Sequence, residues 1–166
     1  MIFLRLWHQS LLSVLPKSQL LAQWRELNSI YAKEDRHILI NYIYDYSKDD
    51  LFSYTQLVLQ EMRARDINIR TVDKMERYFA DGPFEKVMNP FIHHHNNEYF
   101  EICYFNLKEK FMRGQKDFDT ERFEALRKIY EAMEWGIRCA FIWYDASNRK
   151  VDIENHKIIQ ENRKSE

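Results

Sequence analysis

Helix-breaking residues are scarce in this chain, and their scarcity limits the folds open to it. Glycine and proline number only three each in 166 residues. Tight hairpins usually need Gly, Asn-Gly or Asp-Gly turns, whereas long helices need only an uninterrupted apolar period. The 45% apolar and 31% charged fractions are typical of a globular domain with a polar surface. The chain is long enough for one domain with its own core, and we expect that domain to be built from long helices.

Apolar residues recur at spacings of three and four, which is the period of an α-helix. Helices are predicted at Leu15–Tyr31, from Ser47 to about Arg65, at about 72–79, at about 97–112, and from Asp119 to about Asp145. The Ile- and Tyr-rich segment 33–47 is predicted to be extended. The predicted class is all-α, a compact domain of three core helices with an additional long C-terminal helix.

The predicted domain covers residues 1–147, and residues 148–166 are predicted to form a charged tail. That tail has few apolar residues, so we expect a frayed helix or disorder. Cys103 and Cys139 lie in apolar helical contexts and are interpreted as free thiols of the core, not as a disulfide.

No apolar run approaches the roughly 18 residues that a membrane crossing needs. The apolar start carries Arg5 and His8 and lacks a small-residue cleavage site, so it does not resemble a signal peptide. We therefore expect a cytoplasmic protein with no membrane association. The formal charge of −1 argues against a broad phosphate-binding surface, although a local basic patch remains possible.

The polar face of the first predicted helix carries Gln23, Arg25 and Glu26. Consecutive residues do not face each other on a helix, so Arg25 and Glu26 need not neutralise one another. Most polar helix faces are simply solvated. The alternative is that Glu26 serves as an acid, base or electrostatic stabiliser while Arg25 binds a phosphate.

Three consecutive histidines, His93, His94 and His95, are the second candidate site. Adjacent side chains point in different directions, and no further ligands stand at a spacing typical of a zinc site. Surface or helix-entry histidines are the preferred interpretation, and we expect neither a metal nor another cofactor. A metal-dependent hydrolase built on the triplet is an alternative.

Two stretches resemble the pyrimidine-dimer DNA glycosylase family, also described as endonuclease V-like. The first is Arg-Leu-Trp-His at Arg5–His8, and the second is Gln-Leu-Leu-Ala-Gln-Trp-Arg-Glu at Gln19–Glu26. Weaker similarity continues from His37 through Ile-Leu-Ile-Asn-Tyr, at the turn Asp66–Ile69, and at Asn106–Lys110. The resemblance covers roughly residues 4–112.

The resemblance implies a DNA repair glycosylase that removes damaged pyrimidines and then nicks the strand by abasic-site lyase chemistry. Its nucleophile would be the chain's own α-amine, on Met1 or on Leu4 if the true start lies there. An α-amine has a pKa of roughly 7.7–8.0, so part of it is neutral at cellular pH and can form a Schiff base. Glu26 would be the catalytic carboxylate.

The partner implied is damaged double-stranded DNA, and a protein partner is unknown. The expected DNA contacts, carried over from the family or adjacent to its motif, are Arg5, His8, Lys17, Gln23, Arg25, His37 and Lys110. An alternative is a catalytically silent relative that binds DNA or a protein through its helical faces, which the near-neutral charge favours.

Overall fold

The computed structural model describes residues 6–34, 36–140, 142–144, 150–152 and 157–158, with side chains up to Met133. Five α-helices are present among them: α1 (Lys17–Lys33), α2 (Lys48–Ala64), α3 (Asp73–Tyr78), α4 (Asn97–Met112) and α5 (Thr120–Ala140). Short 3-10 helices occupy Gln9–Val14 and Asn41–Asp45. The predicted all-α class is confirmed, with α1 packing against both α2 and α3. No described helix has both the length and the apolar composition that a membrane crossing requires.

Helices α1 and α2 form where their apolar period predicts. The buried stripe of α1 consists of Leu20, Trp24, Leu27, Ile30 and Tyr31, and that of α2 includes Leu51, Tyr54, Val58 and Met62. Helix α1 ends where Glu34 adopts a left-handed conformation with φ of 47°. Ser47 is the N-cap residue of α2, but its hydroxyl bonds to Asp49 rather than to a backbone N–H.

The prediction of an extended segment at 33–47 is wrong. A hydrogen-bonded turn there leads into the 3-10 helix Asn41–Asp45, since the amides of Ile40 and Asn41 both donate to the His37 carbonyl. Burial of Ile40 and Ile43 holds this turn against the core. Aromatic and β-branched residues favoured a strand in the sequence, but no neighbouring strand exists among the described residues of this region to pair with it.

Helix α4 has the predicted bounds, and the Asn96 side chain caps it by accepting from the Tyr99 amide. Helix α5 begins as predicted but ends at Ala140, short of the predicted Asp145. The next described residues, Ile142–Tyr144, form a strand, consistent with the strand preference of Ile, Trp and Tyr. Buried Cys103 is a free thiol as expected, whereas the Cys139 side chain lies outside the described residues.

The chain divides into two compact units, residues 1–126 and 127–166. The second contains the end of α5 and an antiparallel sheet of strands β1 (Ile142–Tyr144), β2 (Lys150–Asp152) and β3 (Lys157–Ile158), in that order. Ile142 is opposite Asp152, and Val151 is opposite Ile158. Strands β2 and β3 lie in the segment expected to form a charged tail. The boundary predicted at residues 147 and 148 lies outside the described residues and stays a prediction.

Candidate active site

Helix α1 presents Gln23, Arg25 and Glu26 at three different depths. Arg25 lies opposite the buried stripe and is exposed, Glu26 is half-buried at the edge of that stripe, and Gln23 has no exposed surface. The 3.6-residue period produces this gradient, because each residue turns about 100° from the one before. The Glu26 carboxylate thus lies at the helix edge, next in sequence to the exposed cation Arg25.

The Gln23 amide connects Glu26 to the beginning of the chain. Its Oε1 accepts from the Trp7 backbone N–H at 2.8 Å and from the Tyr54 hydroxyl at 3.0 Å. Its Nε2 donates to Oε2 of Glu26 at 3.0 Å. Buried polar groups are destabilising unless they are hydrogen-bonded, and both ends of this amide are bonded. Gln23 therefore links the backbone of residue 7 to the Glu26 carboxylate.

Two tyrosines, buried Tyr54 and half-buried Tyr99, hold the same stretch of backbone. The Tyr54 hydroxyl donates to the Trp7 carbonyl at 2.6 Å, and the Tyr99 hydroxyl donates to the Leu6 carbonyl. Burial raises the pKa of both hydroxyls, so both stay protonated and able to donate. We refer to the side chains of Gln23, Tyr54 and Tyr99 as the backbone clamp. The clamp fixes residues 6 and 7 beside the edge of α1 that carries Glu26.

A histidine pair fixes the next two residues. His8 bonds through Nε2 to the His95 carbonyl at 2.9 Å, and its Nδ1 accepts from the Ser10 amide. The His95 ring bonds through Nδ1 to the Gln9 side chain at 2.8 Å and through Nε2 to the Tyr42 hydroxyl at 2.6 Å. Burial lowers the pKa of His95 to about 3 and also lowers that of His8, so both rings are neutral. They act as structural hydrogen-bonding groups.

The segment just beyond α4 supports the start of α1. Pro16 is the N-cap residue and provides no side-chain hydrogen bond, but Asp117 Oδ2 accepts from the Ser18 amide at 2.7 Å. Arg65 and Arg122 both donate to the Leu15 carbonyl. Distant side chains thereby satisfy the Ser18 amide in the first turn of α1 and the Leu15 carbonyl just before the helix. Helix α1 is anchored at its first turn, upstream of Glu26.

The predicted DNA-contacting residues are not equally accessible. Arg25 and Lys17 are exposed, and His37 and Lys110 are half-buried. Within the described part of the chain, no hydrogen bond or ion pair engages the Arg25 guanidinium. Arg25 is therefore available to an anionic ligand. Met1, Leu4 and Arg5 lie outside the described residues.

Direct DNA contacts by Gln23 and His8 are not accessible in this conformation, and they stay a prediction. Gln23 is 0% exposed and His8 is 4% exposed, and their polar atoms already have partners within the protein. Gln23 was assigned to the polar face because of its residue type, but it follows Leu20 by three residues and precedes Leu27 by four, which is the spacing of the buried stripe. The backbone of Trp7 and the Tyr54 hydroxyl of α2 lie against its amide there.

The histidine triplet does not form a cluster of metal ligands. His93 and His94 are exposed while His95 is buried, as expected for consecutive residues that point in different directions. His95 lies just before α4, at the predicted helix entry. Among the described side chains, no group of three or more His, Cys, Asp or Glu is arranged to hold a metal ion.

Three important residues were not recognised as such from the sequence. Tyr54 and Tyr99 fitted the apolar stripes of their helices, and nothing in the pattern indicated that their hydroxyls bond to residues 6 and 7. His95 looked like one of three equivalent histidines. A buried tyrosine usually requires a partner for its hydroxyl, which is the signal that was available.

The family comparison matches the first part of the chain. Residues 4–75 match the family model described as pyrimidine dimer DNA glycosylase. The matched segment contains α1 with Arg25 and Glu26, the Leu6–Trp7 backbone and Tyr54, whereas Tyr99 and Lys110 lie outside it. No curated protein and no solved structure matches the chain significantly.

Proposed function

We propose, from the match of residues 4–75 to the family model described as pyrimidine dimer DNA glycosylase, that this protein is a DNA repair glycosylase with abasic-site lyase activity. Its substrate is damaged double-stranded DNA. The nucleophile is an N-terminal α-amine, and Glu26 is the catalytic carboxylate.

The observation that carries this proposal is the link from Glu26 through Gln23 to the Trp7 amide. A trans chain spans at most about 3.6 Å per residue, so an amine at residue 4 stays within about 11 Å of the Trp7 nitrogen. An amine at Met1 has about 22 Å of chain by the same measure. The link thus supports an amine working beside Glu26, and the shorter tether of an amine at residue 4 would restrict it more tightly to that carboxylate.

The reaction follows from the properties of these two groups. The neutral amine attacks C1′ of the damaged nucleotide, the bond from C1′ to the base breaks, and the base takes up a proton that the amine releases. The second amine proton passes to O4′ as the sugar ring opens, which yields a Schiff base. Removal of a C2′ proton then expels the 3′ phosphate and nicks the strand. Glu26 stabilises the cationic sugar and transfers protons in these steps.

The predicted DNA-contacting residues bind the substrate and do not take part in the reaction itself. Arg25 binds a phosphate of the distorted duplex, since its guanidinium is exposed and available. Lys17 is also on α1, and Arg5 precedes the clamped backbone. His37 and Lys110 make outer contacts. A nucleotide leaves the base stack so that the amine can reach C1′.

The test is reductive trapping of the Schiff base. Two forms of the chain are prepared, one beginning at Met1 and one beginning with Met in place of Leu4, and each is incubated with duplex containing an abasic site or a pyrimidine dimer. Borohydride should then convert the intermediate into a stable covalent adduct, with more adduct for the form that starts at position 4. Peptide mapping should locate the DNA on the α-amine. Absence of an adduct from both forms would exclude the lyase reaction.

The second candidate function is a catalytically silent relative that binds DNA or a protein partner through its helical faces. The formal charge of −1 and the burial of Gln23 and His8 favour its protein-binding form, because both reduce the contacts available for binding DNA. Salt-dependent binding to damaged duplex without trapping or nicking would select the DNA-binding form of the silent relative over the enzyme.

A further inference from the structure

We infer that Gln23 is a positioning residue: it holds the Glu26 carboxylate and the backbone of residue 7 in one fixed arrangement and does not contact DNA. The inference rests on the proposed function, since it concerns how that site is assembled. It replaces the direct DNA contact that the sequence indicated for Gln23.

The partners of Gln23 determine the orientation of its amide. Trp7 N–H can only donate, so the atom that faces it at 2.8 Å must be the amide oxygen. The amide nitrogen must then face Glu26, whose carboxylate accepts at 3.0 Å. A flipped amide would place the Gln23 N–H against the Trp7 N–H and the Gln23 oxygen against the Glu26 carboxylate. The donor directed at Glu26 is thus fixed by the backbone of residue 7.

The neighbouring hydroxyl strengthens this arrangement. The single hydrogen of Tyr54 lies between the Trp7 carbonyl at 2.6 Å and Gln23 Oε1 at 3.0 Å. Both the N–H and the carbonyl of residue 7 are therefore bound by side chains of the clamp. A shift of the chain by one residue would break these contacts, because successive peptide groups point in different directions. The clamp fixes the register of the N-terminal segment relative to Glu26.

Other residue types at position 23 cannot make both connections. Leucine offers neither an acceptor for Trp7 nor a donor for Glu26, and asparagine is one methylene shorter. Glutamate keeps the acceptor but sets a second carboxylate against Glu26. Two carboxylates at this distance cannot both ionise readily, so the pair retains a proton to higher pH.

The Gln23→Glu variant therefore tests the inference through its pH dependence. The new carboxylate would accept from Trp7 and Tyr54, and these bonds favour its ionised form. The shared proton would stay on Glu26 and remove its charge. In the parent protein, amine protonation alone lowers the trapping rate by about tenfold per pH unit below pH 8. In the variant we expect a steeper fall, approaching about 100-fold per pH unit where both groups titrate.

The matched control is Gln60→Glu, which adds the same charge at an exposed position of α2. Trapping rates of parent, control and variant are measured from pH 5.5 to 8.5 at saturating protein. The control should follow the parent. A variant profile parallel to that of the control would overturn the inference, whereas absence of trapping in the parent would instead overturn the proposed function.

A DNA-binding measurement distinguishes a positioning role for Gln23 from direct contact between Gln23 and DNA. A duplex with a non-cleavable abasic-site analogue should bind Gln23→Glu within about threefold of Gln60→Glu, because a residue that does not touch DNA perturbs binding only through net charge. A loss of more than about tenfold relative to that control would indicate that Gln23 faces the phosphates.

Circular dichroism and urea unfolding verify that each variant is folded, and Gln23→Asn provides a second, uncharged variant. We expect Gln23→Asn to lower the trapping rate at every pH without changing its slope.

Discussion

The His8 ring bonds to the backbone carbonyl of His95 at 2.9 Å, which joins positions 87 residues apart in the chain. The two rings also stack with centroids 5.7 Å apart, so a charge on either would oppose a charge on the other. This pair ties residues 8 and 9 to the start of α4. The beginning of the chain is thereby held to two separate parts of the helical body, at α4 by the histidines and at α1 by Gln23.

Stability should fall in acid because these histidines are neutral when folded. Burial lowers the pKa of His95 to about 3, whereas an unfolded histidine titrates near 6.5. The unfolded chain therefore binds more protons between these values, and the free energy of unfolding decreases as pH falls below about 6.5. His95 alone should cost about 2 kcal/mol between pH 7 and pH 5, and His8 adds to the loss. Urea unfolding at several pH values measures this slope.

The control for the loss of stability in acid is a substitution of the exposed histidine His93, compared with the same substitution of buried His95. His95→Gln should lower stability at pH 7 but flatten its dependence on pH, since the titrating group is gone. His93→Gln removes an exposed histidine two residues earlier and should leave the slope unchanged. Equal slopes for these two variants would contradict a role for the buried pair.

Loss of a clamp hydroxyl should destabilise the protein and slow its chemistry. Tyr54→Phe leaves the buried Trp7 carbonyl without its tyrosine donor, which typically costs about 1–3 kcal/mol. Tyr99→Phe should do the same at the Leu6 carbonyl. Tyr46→Phe is the matched control, because among the described residues the Tyr46 hydroxyl bonds only to exposed groups, the His94 ring and the His93 amide. This substitution should cost less than about 0.5 kcal/mol. Urea midpoints give the stabilities, and trapping should be slower for the two clamp variants alone.

The bounds of α1 and α4 could be predicted closely from the sequence because they depend on a local apolar period. The end of α5 was predicted five residues too late, because the apolar spacing continues into the segment Ile142–Tyr144, which forms a strand. The partners of Gln23 could not be predicted, since Trp7 and Tyr54 lie 16 and 31 residues away. Arg25 and Glu26 were singled out through a resemblance to a family motif, and their local pattern was equally compatible with a solvated helix face.

The Asp117 side chain caps the start of α1 from a distant part of the chain, which gives a further prediction. Asp117 accepts from the Ser18 amide at the first turn of α1, where Pro16 provides no side-chain cap. Asp117→Ala should destabilise the protein by about 1 kcal/mol, the usual effect of losing a helix cap. Lys116→Ala, at the adjacent exposed position, should change stability by less than about 0.5 kcal/mol. Indistinguishable urea midpoints for the two variants would show that the cap does not stabilise α1.

Substitution of Glu26 should mainly affect the rate of strand nicking, whereas substitution of Arg25 should mainly affect DNA affinity. Glu26→Gln keeps the shape of the side chain and can still bond to Gln23, but it loses the charge and the capacity to transfer protons. Strand nicking should therefore fall by about 100-fold or more, while binding to damaged duplex is kept or slightly strengthened. Arg25→Gln should do the reverse: it lowers affinity and flattens the salt dependence, yet spares most of the nicking rate at saturating protein. One labelled duplex measures both effects, by gel shift and by nicking. Small and equal effects from the two substitutions would mean that this part of α1 is a solvated face, and the catalytic assignment of Glu26 would be lost.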